Sequence, residues 1–146
     1  MKREDFEEYL KYFNEKQYDE AAAYFADDVC VMYPNEFLIG DYSENSLTGK
    51  ARLFDMYRTR HESIEEAREL DDFAVAEDGK SVFVILHTEY RAKEDTIWSA
   101  GFMKKGVVAV AINVAAYTLD DAGKFEEVRI ALHDFDCPGT KIRHLL

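Results

Sequence analysis

His61 is the side chain best suited to moving a proton near neutrality, because an imidazole has an ordinary pKa of about 6.5. It follows Tyr57 by four residues in RLFDMYRTRHES. A helix continuing that far puts both on one face; a helix ending sooner leaves His61 in solvent. Asn113 interrupts the apolar run from Val107 to Ala116, and a buried amide needs partners, either structural ones or the oxygen of a bound molecule. Asp134 continues the phase of Val128, Ile130 and Leu132, which places it at the inner rim of a sheet or in solvent at the strand's end. His87 and Glu89 alternate against Val82, Val84 and Leu86. His87 is thus expected on an outer face, at a contact with a second subunit, and Leu86 is a candidate wall of an inner cavity. No metal centre or other cofactor is expected. His87-x-Glu89 and His133-Asp134-x-Asp136 lack diagnostic ligand spacing. The two cysteines, Cys30 and Cys137, read as reduced thiols rather than a disulfide framework. No G-x-S-x-G, P-loop or dinucleotide fingerprint occurs.

The elements that must position these groups follow from periodicity. Phe6, Tyr9, Leu10 and Phe13 recur at helical spacing from Arg3 to Asn14, with acidic residues in the first turn. Asp19 to Ala26 reads as a second short helix, and CVMY as a strand stopped by Pro34, which has no N–H to donate. A polar loop is expected over residues 34–47. A third helix follows over Thr48 to Arg60, with Thr48 as N-cap and Leu53, Met56, Tyr57 and Arg60 on one face. Alternation then predicts strands near 65–76, 81–91, 106–118 and 125–135, separated by the turn signals EDGK and DDAGK. Trp98, Phe102 and Met103 lie near a hairpin end, where they form either a lip over a pocket or a packing contact.

Helices followed by antiparallel strands make an α+β plan, with three N-terminal helices on one face of a strongly curved sheet. At 146 residues, with 47% hydrophobic and 14% aromatic residues, the chain reads as a single domain over 1–146 with a substantial core. The net charge of −12 disfavours nucleic acid and anionic membranes as partners. No run reaches the ~18 apolar residues of a membrane span, and the charged opening MKREDFEEYL is unlike a secretory signal. A cytoplasmic protein is expected.

The segment YLKYFNEKQYDEAAAYFADDVCVMYP resembles the opening of the NTF2-like superfamily. The resemblance is nearest to its SnoaL-like and ketosteroid-isomerase-like branches. It continues through LTGKARLFDMY and AYTLDDAGKFEEVRIALHDF, covering the chain from about Phe6 to Asp136. It implies a cystatin-like cone around a pocket for a small apolar molecule, and a homodimer formed through the outer sheet face. Members include isomerases, dehydratases, aldol cyclases and epoxide hydrolases, and some only bind, so the pocket residues must decide. The resemblance places Tyr9 and Tyr57 as hydrogen-bond donors to a developing oxyanion; the alternative for each is a packed core ring. Tyr33 stands where the steroid isomerases keep a general-base aspartate, and Ala115 where they keep a second oxyanion donor. Ordinary ketosteroid isomerisation is therefore not expected. The N-x-x-x-Y spacing from Asn113 to Tyr117 is similar to that of scytalone dehydratase, which implies ligand contact there.

These readings together give a cofactor-free lyase, isomerase or cyclase. His61 moves the proton, Tyr9, Tyr33 and Tyr57 donate hydrogen bonds, and Asn113 orients a substrate oxygen in a pocket of roughly 300–1,000 Å³. A non-catalytic binding module is the alternative.

Overall fold

A computed structural model describes residues 1–33 and 46–146. Helix α1 spans Arg3–Asn14 and α2 spans Tyr18–Ala22. Strands β1 (Phe25–Met32) and β2 (Ser46–Thr48) precede α3 (Lys50–Ser63). The remaining strands are β3 (Ile64–Val75), β4 (Ser81–Ala92), β5 (Thr96–Trp98), β6 (Gly101–Met103), β7 (Val108–Leu119) and β8 (Phe125–Asp136). Six strands form one sheet in the order β2-β1-β8-β7-β4-β3, antiparallel except for the parallel pair β1–β8. Strands β5 and β6 make a separate hairpin. The α+β plan holds, with the eight-residue β1 and the three-residue β2 set between the second and third helices.

Three boundaries differ from expectation. The second helix stops at Ala22 and the strand begins at Phe25, because Phe25 pairs with Phe125 of β8 and joins the aromatic core. Sheet pairing there outweighs the helical propensity of the alanine run. Thr48 is not an N-cap: it pairs with Cys30 in β2, and Gly49 holds the cap position at φ 103°, a backbone conformation suited to glycine. The expected loop over 34–47 lies outside the described residues except for Ser46 and Leu47, which belong to β2.

The core is an aromatic cluster under α1. Phe6 meets Tyr9, Tyr117 and Phe125 edge-on at 5.1 to 6.0 Å between ring centroids. Phe13 meets Tyr57 edge-on at 5.0 Å. Each such pair adds about 0.5–1.5 kcal/mol beyond the burial itself. The end of α1 is tied to β3 by Asn14, whose side chain donates to the Arg68 carbonyl and accepts from the Arg68 N–H, both at 2.8 Å.

Bulges bend the sheet and reset its phase. In β8, Asn113 pairs with Leu132 while Ile112 pairs with Asp134, leaving His133 as the extra residue. Beyond it the faces exchange: Phe135 packs against the core and Asp134 is exposed. Asp134 is therefore not at the inner rim, a correction no alternation pattern could supply once a residue is inserted.

His87 and Glu89 do stand on the outer face, yet both are about 1% exposed. The chain's own C-terminal residues bury them: Glu89 accepts from the N–H groups of Arg143 and Leu145, and the Arg143 guanidinium pairs with Glu69 and Asp71. Gly139 makes that approach feasible. A β-carbon there would stand 2.7 Å from Val110 Cγ2.

Candidate functional site

Strand alternation sends Ile64, Glu66, Arg68 and Leu70 of β3 to the inner face, opposite Ala92, Tyr90, Thr88 and Leu86 of β4. Asn113 of β7 pairs with Leu86 and shares that face. A cavity of about 20 Å³ opens there, lined by Tyr33, Arg60, Arg68, Leu86, Tyr90, Asn113 and Ile130. That volume holds about one water, or the polar end of a larger molecule. Arg68 also borders a surface groove of about 450 Å³ between α1 and β3, so it meets both spaces.

A buried charged cluster stands behind the cavity. Glu66 is fully buried. Its Oε1 accepts from Arg68 Nη2 and Nε at 2.6 and 3.0 Å, and its Oε2 from Arg60 Nη1 at 3.2 Å and His61 Nε2 at 3.1 Å. Burial alone would raise the Glu66 pKa, but Arg68, Arg60 and His61 overcome it and hold the carboxyl well below its ordinary range. The Arg68 guanidinium lies over the Phe13 ring at 4.0 Å, so its position is fixed by packing as well as by charge.

His61 is buried and does not reach the cavity wall. Helix α3 runs on to Ser63, so His61 and Tyr57 share a face and their rings stack at 6.1 Å. Tyr18 donates to Nδ1 at 2.7 Å while Nε2 faces Glu66, which assigns a neutral imidazole with its proton on Nε2. Burial pushes the His61 pKa down, against the pull of Glu66.

The sign follows from linkage. As pH falls through about 6.5 the unfolded chain takes this proton before the native one, so the His61 contribution to stability is complete above that pH and declines below it. An NMR titration of the His61 ring is expected to show a midpoint below about 6.5. A midpoint above it would mean that Glu66 retains the imidazolium, and the assignment would fail.

The other sequence-stated candidates divide by position. Tyr33, Leu86 and Asn113 meet at the cavity. Tyr9 lies in the aromatic core against Phe6, Phe25 and Phe125, Tyr57 against Phe13 and Phe54, and Tyr117 against Phe6 and Phe125; none of the three is on the cavity wall. Burial raises the pKa of Tyr33 and of Tyr90, so both phenols stay protonated near neutrality and available as donors. Among the described residues Asn113 Oδ1 is buried with no partner, as is Thr88 Oγ1 between Leu86 and Tyr90. Trp98 packs on Tyr90 at 4.7 Å and Met103 is buried, while Phe102 points to solvent.

Sequence reasoning did not single out Arg60, Glu66, Arg68, Tyr90 or Tyr18 as site residues. A signal existed for two of them: in IEEAREL the charged Glu66 and Arg68 share the phase of Ile64 and Leu70, which marks a buried pair. The partners from α2 and α3 come from segments remote in sequence, which strand alternation cannot connect.

A six-stranded sheet interrupted by bulges packs against helices, with a small cavity between them. Among solved structures, the chain is similar to the epoxide hydrolase/cyclase-like enzyme SalBIII, described for pyran ring formation in the polyether salinomycin. The TM-score is 0.70 at 20% identity, over 92% of this chain and 94% of that one. It is also similar to an LEH-like epoxide hydrolase of Mycobacterium tuberculosis, with TM-score 0.64 and 12% identity over 87% and 78% of the two chains. A third is a Mycobacterium tuberculosis protein in complex with estradiol-17β-hemisuccinate, with TM-score 0.63 and 15% identity over 84% and 85%. These likenesses establish the fold. No protein-family model matches the chain, and no curated protein matches it in sequence. Among the described residues no helix is long and apolar enough to cross a membrane.

Proposed function

We propose that the chain binds a small oxygen-bearing organic molecule in the cone and acts on it as a cofactor-free lyase, isomerase or cyclase. One observation supports this above the rest: Tyr33, Tyr90, Arg60 and Arg68 converge with the unpartnered Asn113 on one cavity. Fixed donors in a site with room for about one water stabilise charge on a carbonyl oxygen as it develops, with no solvent to reorganise. In this reading Tyr33 and Tyr90 take the donor role assigned from sequence to Tyr9 and Tyr57. His61, the proton acceptor expected from the sequence, stands behind the wall with Nε2 on Glu66 and Nδ1 on Tyr18, so in this reading water takes the departing proton. A cytoplasmic homodimer joined through the outer sheet face, where Phe83 and Val114 are exposed, belongs to the same proposal.

A second reading, a non-catalytic binding module, is favoured by one feature. No carboxylate or imidazole is among the described residues lining the cavity. Enolisation separates the two, because it is a proton-transfer step that a binding module does not perform. Incubation with acetophenone in D2O, followed by NMR, is expected to show methyl hydrogen exchange well above the buffer rate. Removing one donor as Tyr33→Phe should lower that exchange on the order of 10²-fold. Exchange at the buffer rate, with acetophenone binding still detected, would replace the enzyme by the binding module.

A further inference from the structure

We propose that the cavity receives the carboxylate of a small organic acid bearing a hydroxyl on the adjacent carbon. The inference rests on the reading of this cavity as a ligand site, and it names what that ligand carries. Arg68 provides the first argument. Its Nε and Nη2 are spent on Glu66 and its face on Phe13, while Nη1 makes no hydrogen bond among the described residues. A guanidinium held on three sides presents its remaining edge in a fixed direction, which suits a planar carboxylate. Tyr33 and Tyr90 add two phenolic donors that burial keeps protonated.

Asn113 provides the second and independent argument. It is 5% exposed, it lines the cavity, and its Oδ1 has no partner. A wall of donors alone would suit any oxyanion, but this oxygen asks for a donor on the ligand. A carboxylate oxygen cannot supply one; an adjacent hydroxyl can, donating to Oδ1 while the carboxylate accepts from Arg68. Buried polar groups are rarely left unpaired without a function or a bound molecule to satisfy them.

Glycolate, acetate and glycolamide separate these elements, as carboxylate with hydroxyl, carboxylate alone, and hydroxyl with a neutral amide. Titrated into the intact chain and followed by protein NMR, glycolate should give saturable shifts at Asn113 and Arg68. Acetate should bind several-fold more weakly and glycolamide at least tenfold more weakly. Asn113→Leu removes an amide whose Oδ1 makes no hydrogen bond among the described residues, so the variant should fold, and it should bind glycolate and acetate alike. Equal binding of glycolamide and glycolate would overturn the carboxylate assignment. An unchanged glycolate preference in Asn113→Leu would overturn the hydroxyl assignment. Absence of glycolate binding while acetophenone still binds or exchanges would overturn this inference alone; absence of all three would remove the ligand site beneath it.

Discussion

Glu66→Ala is expected to lose about 3–5 kcal/mol of folding stability, the range for stranding one side of a buried ion pair. Whole domains are stable by only about 5–15 kcal/mol, so this loss takes a large share of the total. Glu66 is fully buried and accepts from Arg68 twice, from Arg60 and from His61. Bringing a carboxylate and two guanidinium groups out of water costs several kcal/mol per ion, and their mutual attraction repays that only while the set is complete. Alanine removes the one anion that both Arg60 and Arg68 contact in this cluster, and it leaves the His61 Nε2–H facing a void. Glu66→Gln keeps the shape and one acceptor oxygen but loses the charge, so it should fall between wild type and alanine. Glu7→Ala breaks only the exposed pair with Arg3 and should cost no more than about 0.5 kcal/mol. Urea unfolding of the four proteins tests the ordering. A loss below about 1 kcal/mol for Glu66→Ala would mean that the cluster contributes nothing net.

The same cluster shows what the sequence could convey. Helical spacing placed Phe6, Tyr9, Leu10 and Phe13 in the core, and alternation found the four long strands within one or two residues. That Asn113 is a buried polar residue was legible because it broke an apolar run, but the face it takes was not. What failed was phase after an insertion. His133 bulges, and Asp134, correctly in step up to Leu132, turns outward. The role of His61 was also out of reach. Its face was readable from its spacing to Tyr57, but the carboxylate it meets belongs to the next strand and its other partner, Tyr18, to a different helix. Periodicity reports which side of an element a residue takes; it does not report which elements bring charges together. The cavity therefore has more charge and more hydrogen-bonding capacity than the apolar pocket expected from the resemblance.

Glu89→Ala should release the C-terminal segment from the outer face of the sheet. One carboxylate, about 1% exposed, accepts from the N–H groups of Arg143 and Leu145 and faces His87 Nε2 at 3.2 Å. The two amides can turn to water once the segment lifts, so their loss is partly recovered. While the segment stays down, the His87 nitrogen is left without its partner, and lifting lets water reach it as well. A buried donor left unpaired costs about 1–3 kcal/mol, and the segment's own attachment weakens by a similar amount. Local opening should then rise by at least about tenfold. Trypsin provides the measurement, because Lys141 and Arg143 lie within the segment. In the wild type the Arg143 guanidinium is held by Asp71 and Glu69, and cleavage there should be slow. In the variant it should be at least tenfold faster while the remaining 1–141 stays intact. Acid should act in the same direction on the wild type. Burial would raise the Glu89 pKa, but the two N–H groups and His87 prevail and hold it below the ordinary glutamate value. Its contribution is therefore fully present above about pH 4.5 and lost as the pH falls through the lower folded pKa, so the segment should stay closed at neutrality. Equal cleavage rates for variant and wild type at pH 7 would show that Arg143 and Gly139 hold the segment without Glu89.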